Sequence, residues 1–228
     1  MRQTIYTLIV DGFSPEITAL TVPLMERYAA KIDARFHVIA ERRFPAMPVC
    51  YEKFQVRELA CASGDEWSLF LDADVLVHPD LPDLSAFTPP HTVTFNAVDY
   101  GPVRFAPNDW SRRDGRHLAP GSWLVGGSRS VWSDLWAPLT ESVEDAVSHI
   151  TPTMQEQRSG ITPTHLLDDY QLSRNIARYG LPVKTVMDLA AADPRLSGSE
   201  FFYHQYLIPP EIKEIQIRAT LDRWGLGG

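Results

Sequence analysis

The stretch WSLFLDADVLVHPDLPDL, residues 67–84, decides how this chain is read. The apolar run from Trp67 to Leu71 ends on Asp72-Ala73-Asp74, and a second apolar triplet, Val75 to Val77, follows before His78-Pro79-Asp80. A short apolar run bounded by polar turn residues fits a buried strand. Residues two apart in an extended chain point the same way, so Asp72 and Asp74 present their carboxylates together at the strand end. Ligands of parallel α/β sheets bind beyond the carboxyl ends of the strands. Hard oxygen ligands gathered there suit Mg²⁺ or Mn²⁺, and Mg²⁺ is commonly held by one or two carboxylates plus substrate phosphates. The plainer alternative is a pair of acids that only caps the next turn. A calcium loop does not fit, because Leu76 and Val77 stand where a ligand and the required glycine belong.

Working outward, the pattern alternates. Residues 4–10 and the segment ARFHVIA (34–40) have strand character, and WSLFLDA is a third strand. Between them lie two helical segments. The first, 14–33, places Ile17, Leu20, Leu24, Tyr28 and Ile32 on one face, with Ser14 as N-cap and Pro15 in the first turn. The second, VCYEKFQVRELACASG (49–64), is closed by Gly64. Strand and helix in this order predict crossover units, a mostly parallel sheet and an α/β fold. Residues 98–121 are rich in Gly, Pro, Asp and Arg and predict a long loop, with Arg104, Arg112, Arg113, Arg116 and His117 as a local basic cluster. Beyond it, GSWLVGGS predicts a strand, 130–149 and 164–179 helices, PVKTVMDL and EFFYHQYL strands, and PPEIKEIQIRATLDRW a closing helix.

With 21 basic and 29 acidic residues the 228-residue chain carries a formal charge of −8, which argues against gripping a nucleic-acid backbone. The two cysteines, Cys50 and Cys61, have no metal-ligand spacing and point to a reducing compartment. The apolar run Ile5–Val10 is too short for a signal core or membrane span, so the expectation is a soluble, cytoplasmic protein. With no convincing boundary, the expectation is one domain over 1–228, in two halves of about 1–90 and 91–228.

Taken with Lys53, Leu59, Phe70-Leu71, Asp72, Asp74, Val75-Leu76 and Asp80–Leu84, the sequence resembles nucleotide-sugar glycosyltransferases of the A-type fold, nearest to glycogenin-like and related bacterial members. The resemblance implies a Rossmann-like sheet and a divalent metal, Mn²⁺ or Mg²⁺, held by Asp72, Asp74 and His204. It implies a nucleoside-diphosphate sugar donor, such as a UDP-sugar, lined by Val10, Asp11, Lys53, Asp72 and Ala73. It also implies a catalytic carboxylate from Asp168-Asp169, with Asp169 favoured. The acceptor, whether glycan, protein, small molecule or modified nucleic acid, stays open, as does stereochemistry. Two other classes stand beside this reading: a metal-dependent phosphatase or nucleotide hydrolase, and a silent nucleotide-sugar-binding module. A haloacid-dehalogenase-type phosphatase fits poorly, since Val75 and Leu76 follow the acids and Lys184 comes after Asp168-Asp169 instead of before.

Overall fold

The computed structural model describes residues 1–99, 105, 112–113, 116–193, 195–196, 201–204 and 207–227. The first part of the chain forms strand β1 (Gln3–Leu8), helix α1 (Pro15–Lys31), β2 (Arg35–Ile39), α2 (Val56–Ser63) and β3 (Trp67–Leu71). Next come β4 (Leu76–Val77), β5 (Val93–Asp99), β6 (Arg112–Arg113) and β7 (Arg116–Ser128). Helices α3 (Arg129–Leu135), α4 (Val143–Ser148), α5 (Met154–Arg158) and α6 (Leu167–Arg178) follow, then β8 (Val183–Thr185), α7 (Val186–Ala192), β9 (Phe202–Tyr203) and α8 (Pro210–Arg223). The central sheet runs β2-β1-β3-β7-β5-β8. β7 lies antiparallel to both its neighbours, while the β1–β2, β1–β3 and β5–β8 pairs are parallel. This is the mostly parallel α/β sheet the sequence predicts.

Both faces of the sheet are covered, which is why β3 is apolar at four of its five positions and buried at all of them. Trp67, Leu69 and Leu71 enter one core with Met25 and Tyr28 of α1 and Leu189 of α7. Phe70 enters the other with Trp132 and Trp136 and with Leu172 and Ile176 of α6. A third cluster joins Ile17 and Leu76 to Ile217 and Leu221, and so docks α8 on α1. Leu20 and Leu24 pack toward that cluster, while Thr21 and Met25 turn to the sheet side, so the buried face of α1 is rotated from the predicted one. Gly126 lets β7 come close to β3, since a Cβ there would meet Trp67 at 2.9 Å.

Several expectations are corrected. Ser14 has a left-handed φ of 31° and makes no side-chain cap; it is its carbonyl that accepts, from Ile17 and Thr18. The predicted helix 49–64 is a 3-10 helix over Val49–Gln55 before α2, and Tyr51 to Gln55 are all buried, which no amphipathic helix would give. The predicted loop 98–121 is partly strand: β7 begins at Arg116 and pairs with β6 as a hairpin, Arg112 opposite His117. Arg104 lies outside the described residues. The predicted helix 130–149 breaks before Pro138, where a helix would lose a hydrogen bond, and restarts at the Ser142 N-cap. The predicted strand 182–189 stops at Thr185, because Thr185 and Asp188 form a capping box that starts α7. Of EFFYHQYL, only Phe202–Tyr203 is strand among the described residues.

Candidate active site

The Asp72-Ala73-Asp74 turn leaves β3 at its carboxyl end. The Asp72 amide donates to the Trp123 carbonyl at 2.9 Å, and the Val75 amide donates back to the Asp72 carbonyl at 3.1 Å. The Ala73 carbonyl accepts from the Thr21 hydroxyl of α1, and Ala73 itself is buried. The turn is therefore pinned from both sides.

One wall of the site is built around Lys53. Its Nζ lies 2.8 Å from Asp72 Oδ1, 2.8 Å from Asp168 Oδ2 and 3.0 Å from Ser122 Oγ. The Ser122 hydroxyl donates to Asp168 Oδ2 at 2.7 Å, and its backbone amide donates to Asp169 Oδ1 at 2.8 Å. Burial works against the Lys53 ammonium, but Asp168 and then Asp72 outweigh it and hold the group above the ordinary lysine range. Burial lifts Asp72 to about 7, against the pull of Lys53 and with the repulsion of Asp74 and Asp168.

The other wall comes from the C-terminal part of the chain. β4 and β9 pair antiparallel, Leu76 opposite Tyr203 and Val77 opposite Phe202. Continued by one residue at each end, that register sets His204 beside the acidic turn, and its Nε2 lies 3.6 Å from Asp74 Oδ1. Lys213, in the first turn of α8, forms an ion pair with Asp74 Oδ2. Burial would raise Asp74, but His204 and Lys213 beside it bring it below the ordinary carboxylate range. Burial pushes His204 down to about 4 against the pull of Asp74, so the imidazole is neutral at neutral pH and keeps a lone pair to offer. The Trp123 ring stacks on His204 with centroids 4.8 Å apart and planes at 20°, fixing the ring's orientation.

Ligand atoms of Asp72, Asp74 and His204 all lie within 4.8 Å of one another. Two carboxylates and a neutral imidazole are the right kind of donors for a divalent cation, and the structure brings together all three predicted ligands.

The remaining predicted residues fall around this centre. Val10 is buried, and Asp11 beyond it is exposed with φ 54°, followed by Gly12 at 70° and Ser14 at 31°. Non-glycine residues in this region are uncommon and gather at ligand sites. Phe13, in the same turn, is 44% exposed. Asp11 reaches Arg42 at 3.6 Å. Arg42 belongs to a loop anchored by buried Glu52, which accepts from the amides of Arg43 at 2.8 Å and Phe44 at 2.9 Å. Sequence reasoning missed Lys213, Ser122 and Arg42. Trp132 and Trp136 are buried in the core, and Trp123 lines the site.

No protein-family model matches the chain. No curated protein matches it in sequence either. Among solved structures it is similar to the crystal structure of a glycosyltransferase involved in the glycosylation of the major capsid of PBCV-1. The match has a TM-score of 0.55 at 11% identity and covers 95% of this chain and 99% of that one. The fold is thus one that a glycosyltransferase uses. Among the described residues, no helix is long and apolar enough to cross a membrane.

Proposed function

We propose that this protein is a metal-dependent glycosyltransferase, moving a sugar from a nucleoside-diphosphate sugar, such as a UDP-sugar, to an acceptor hydroxyl. The observation that carries the reading is the Asp72-Asp74-His204 group at the strand end, flanked by two lysines, on a fold shared with a glycosyltransferase. Asp74 and His204, with Asp72, hold Mn²⁺ or Mg²⁺; the imidazole nitrogen weighs toward Mn²⁺. Such an ion supplies Lewis-acid stabilisation of the departing diphosphate. Lys53 keeps Asp72 aimed and pulls it toward its ionised form, and Lys213 adds a second cation for the diphosphate charge. Val10, Asp11 and Ala73, with exposed Phe13 beside them, receive the nucleoside end of the donor.

Asp169 acts on the acceptor hydroxyl or the anomeric centre. Asp168, tied to both Lys53 and Ser122, is a positioning residue that keeps Lys53 in place. The whole chain acts as one glycosyltransferase domain, its first ninety or so residues serving the donor. The test is a thermal-shift panel of nucleotide sugars with and without Mn²⁺, since a specific ligand raises the melting temperature by mass action. Stabilisation by one nucleotide sugar only with Mn²⁺ supports the reading. Release of inorganic phosphate from monoesters marks a phosphatase, and binding without turnover on any acceptor marks a silent binding module.

A further inference from the structure

The two acids of the turn are each already matched by a lysine, but the two lysines are held in different ways. Lys53 has three partners, Asp72, Asp168 and Ser122, and its side chain is 7% exposed. It keeps an anion whatever happens at Asp72. Lys213 has its ion pair with Asp74 alone among the described residues, and Asp74 is also the acid nearest His204. A divalent ion held by Asp74 and His204 therefore meets the Lys213 ammonium at the same carboxylate. Like charges at this range in a half-buried site are poorly screened, so their repulsion is large.

The position of Lys213 adds a second argument. It lies in the first turn of the 14-residue helix α8, where the helix dipole disfavours a cation and favours an anion. A lysine there needs a negative partner. In the protein alone that partner is Asp74; with a diphosphate present, the same ammonium attracts phosphate oxygens.

We infer that Lys213 makes metal and diphosphate bind together: it holds Asp74 against a bare cation and yields it when a diphosphate takes the ammonium. The inference rests on the glycosyltransferase reading for its ligands and adds a coupling between them. By linkage, the factor by which diphosphate tightens the metal equals the factor by which metal tightens the diphosphate. Lys213 thus opposes one ligand alone and favours the pair.

The experiment counts Mn²⁺ bound to the full chain at neutral pH from the paramagnetic resonance signal of the free aqueous ion. UDP is the diphosphate probe, and its own Mn²⁺ chelate is subtracted. In the unmodified protein UDP tightens Mn²⁺ by roughly 5- to 150-fold, the usual span for coupled sites. Lys213→Met and Lys213→Gln each tighten Mn²⁺ alone while weakening UDP, and most of the coupling disappears. Bare Mn²⁺ affinity that is unchanged or weaker in both variants, with coupling intact, overturns the role of Lys213. If neither variant folds, the unmodified protein decides: Mn²⁺ bound with an affinity indifferent to UDP overturns the inference, and with it the metal dependence of donor binding, while leaving the metal site itself standing. No Mn²⁺ bound with or without UDP overturns the metal-site reading beneath it.

Discussion

Asp72 and Asp74 are separated by one alanine, yet the protein treats them as opposites. Asp72 is lifted to about 7 by burial and by its acidic neighbours, and it belongs to a network that continues through Lys53 into Asp168 and Ser122. Asp74 is held low by its nearest partners, His204 and Lys213, which come from the C-terminal part of the chain. The first acid is tied into the fold; the second is available. The same two-residue spacing that aims both carboxylates at one point leaves their chemistry to whatever the rest of the chain brings alongside.

Six substitutions test that contrast. Asp74→Ala has the largest effect, removing a ligand outright: titration calorimetry shows Mn²⁺-dependent UDP binding abolished. Asp72→Asn, by contrast, weakens it by about 10- to 100-fold, as loss of a supporting group does. Equal losses would erase the distinction. Asp169→Asn keeps size and removes charge, so turnover falls by roughly 10²–10⁴ while donor affinity holds within a few-fold. A helix cap alone would predict near-normal turnover, since Asn caps about as well as Asp.

Lys53→Met strands Asp168, whose side chain is 3% exposed, without its cation. Urea unfolding then shows a loss of about 3–5 kcal/mol, the usual cost of breaking a buried pair. Lys213→Met costs less, because Asp74 retains more contact with solvent. The smallest effect is Trp123→Phe, which keeps a ring against His204; Mn²⁺ affinity falls by less than about ten-fold, measured by the same calorimetry.

The donor side was legible because its signals are local. Trp67–Leu71 and its two acids announce strand and site within eight residues, and Gly64 closes α2 with φ 68° as its position predicts. His204 emerged only through resemblance, since a two-residue ribbon, β4–β9, is too short to show a period. Lys213 was illegible because it stands 139 residues from Asp74, on a helix whose apolar residues mark no single face. Ser122 was illegible for a different reason: both its hydroxyl and its backbone amide serve the site, and an amide leaves no trace in the residue type. The β-branched residues of 183–186 promised a longer strand, and one capping box outweighed them.

The pairing of β5 with β7 slips between Phe95 and Asn96, whose partners are Val125 and Gly121. Residues 122–124 are thus unpaired toward β5 while Leu124 still faces Leu71 of β3, and Ser122 and Trp123 touch opposite walls: the first holds the acids of α6, the second stacks on His204. A bulge of this kind re-aims side chains without disturbing the ladder on either side. This stretch of β7 thus serves both walls at once, and shifting it would cost stability through Lys53 and Asp168 as well as moving Trp123 off His204.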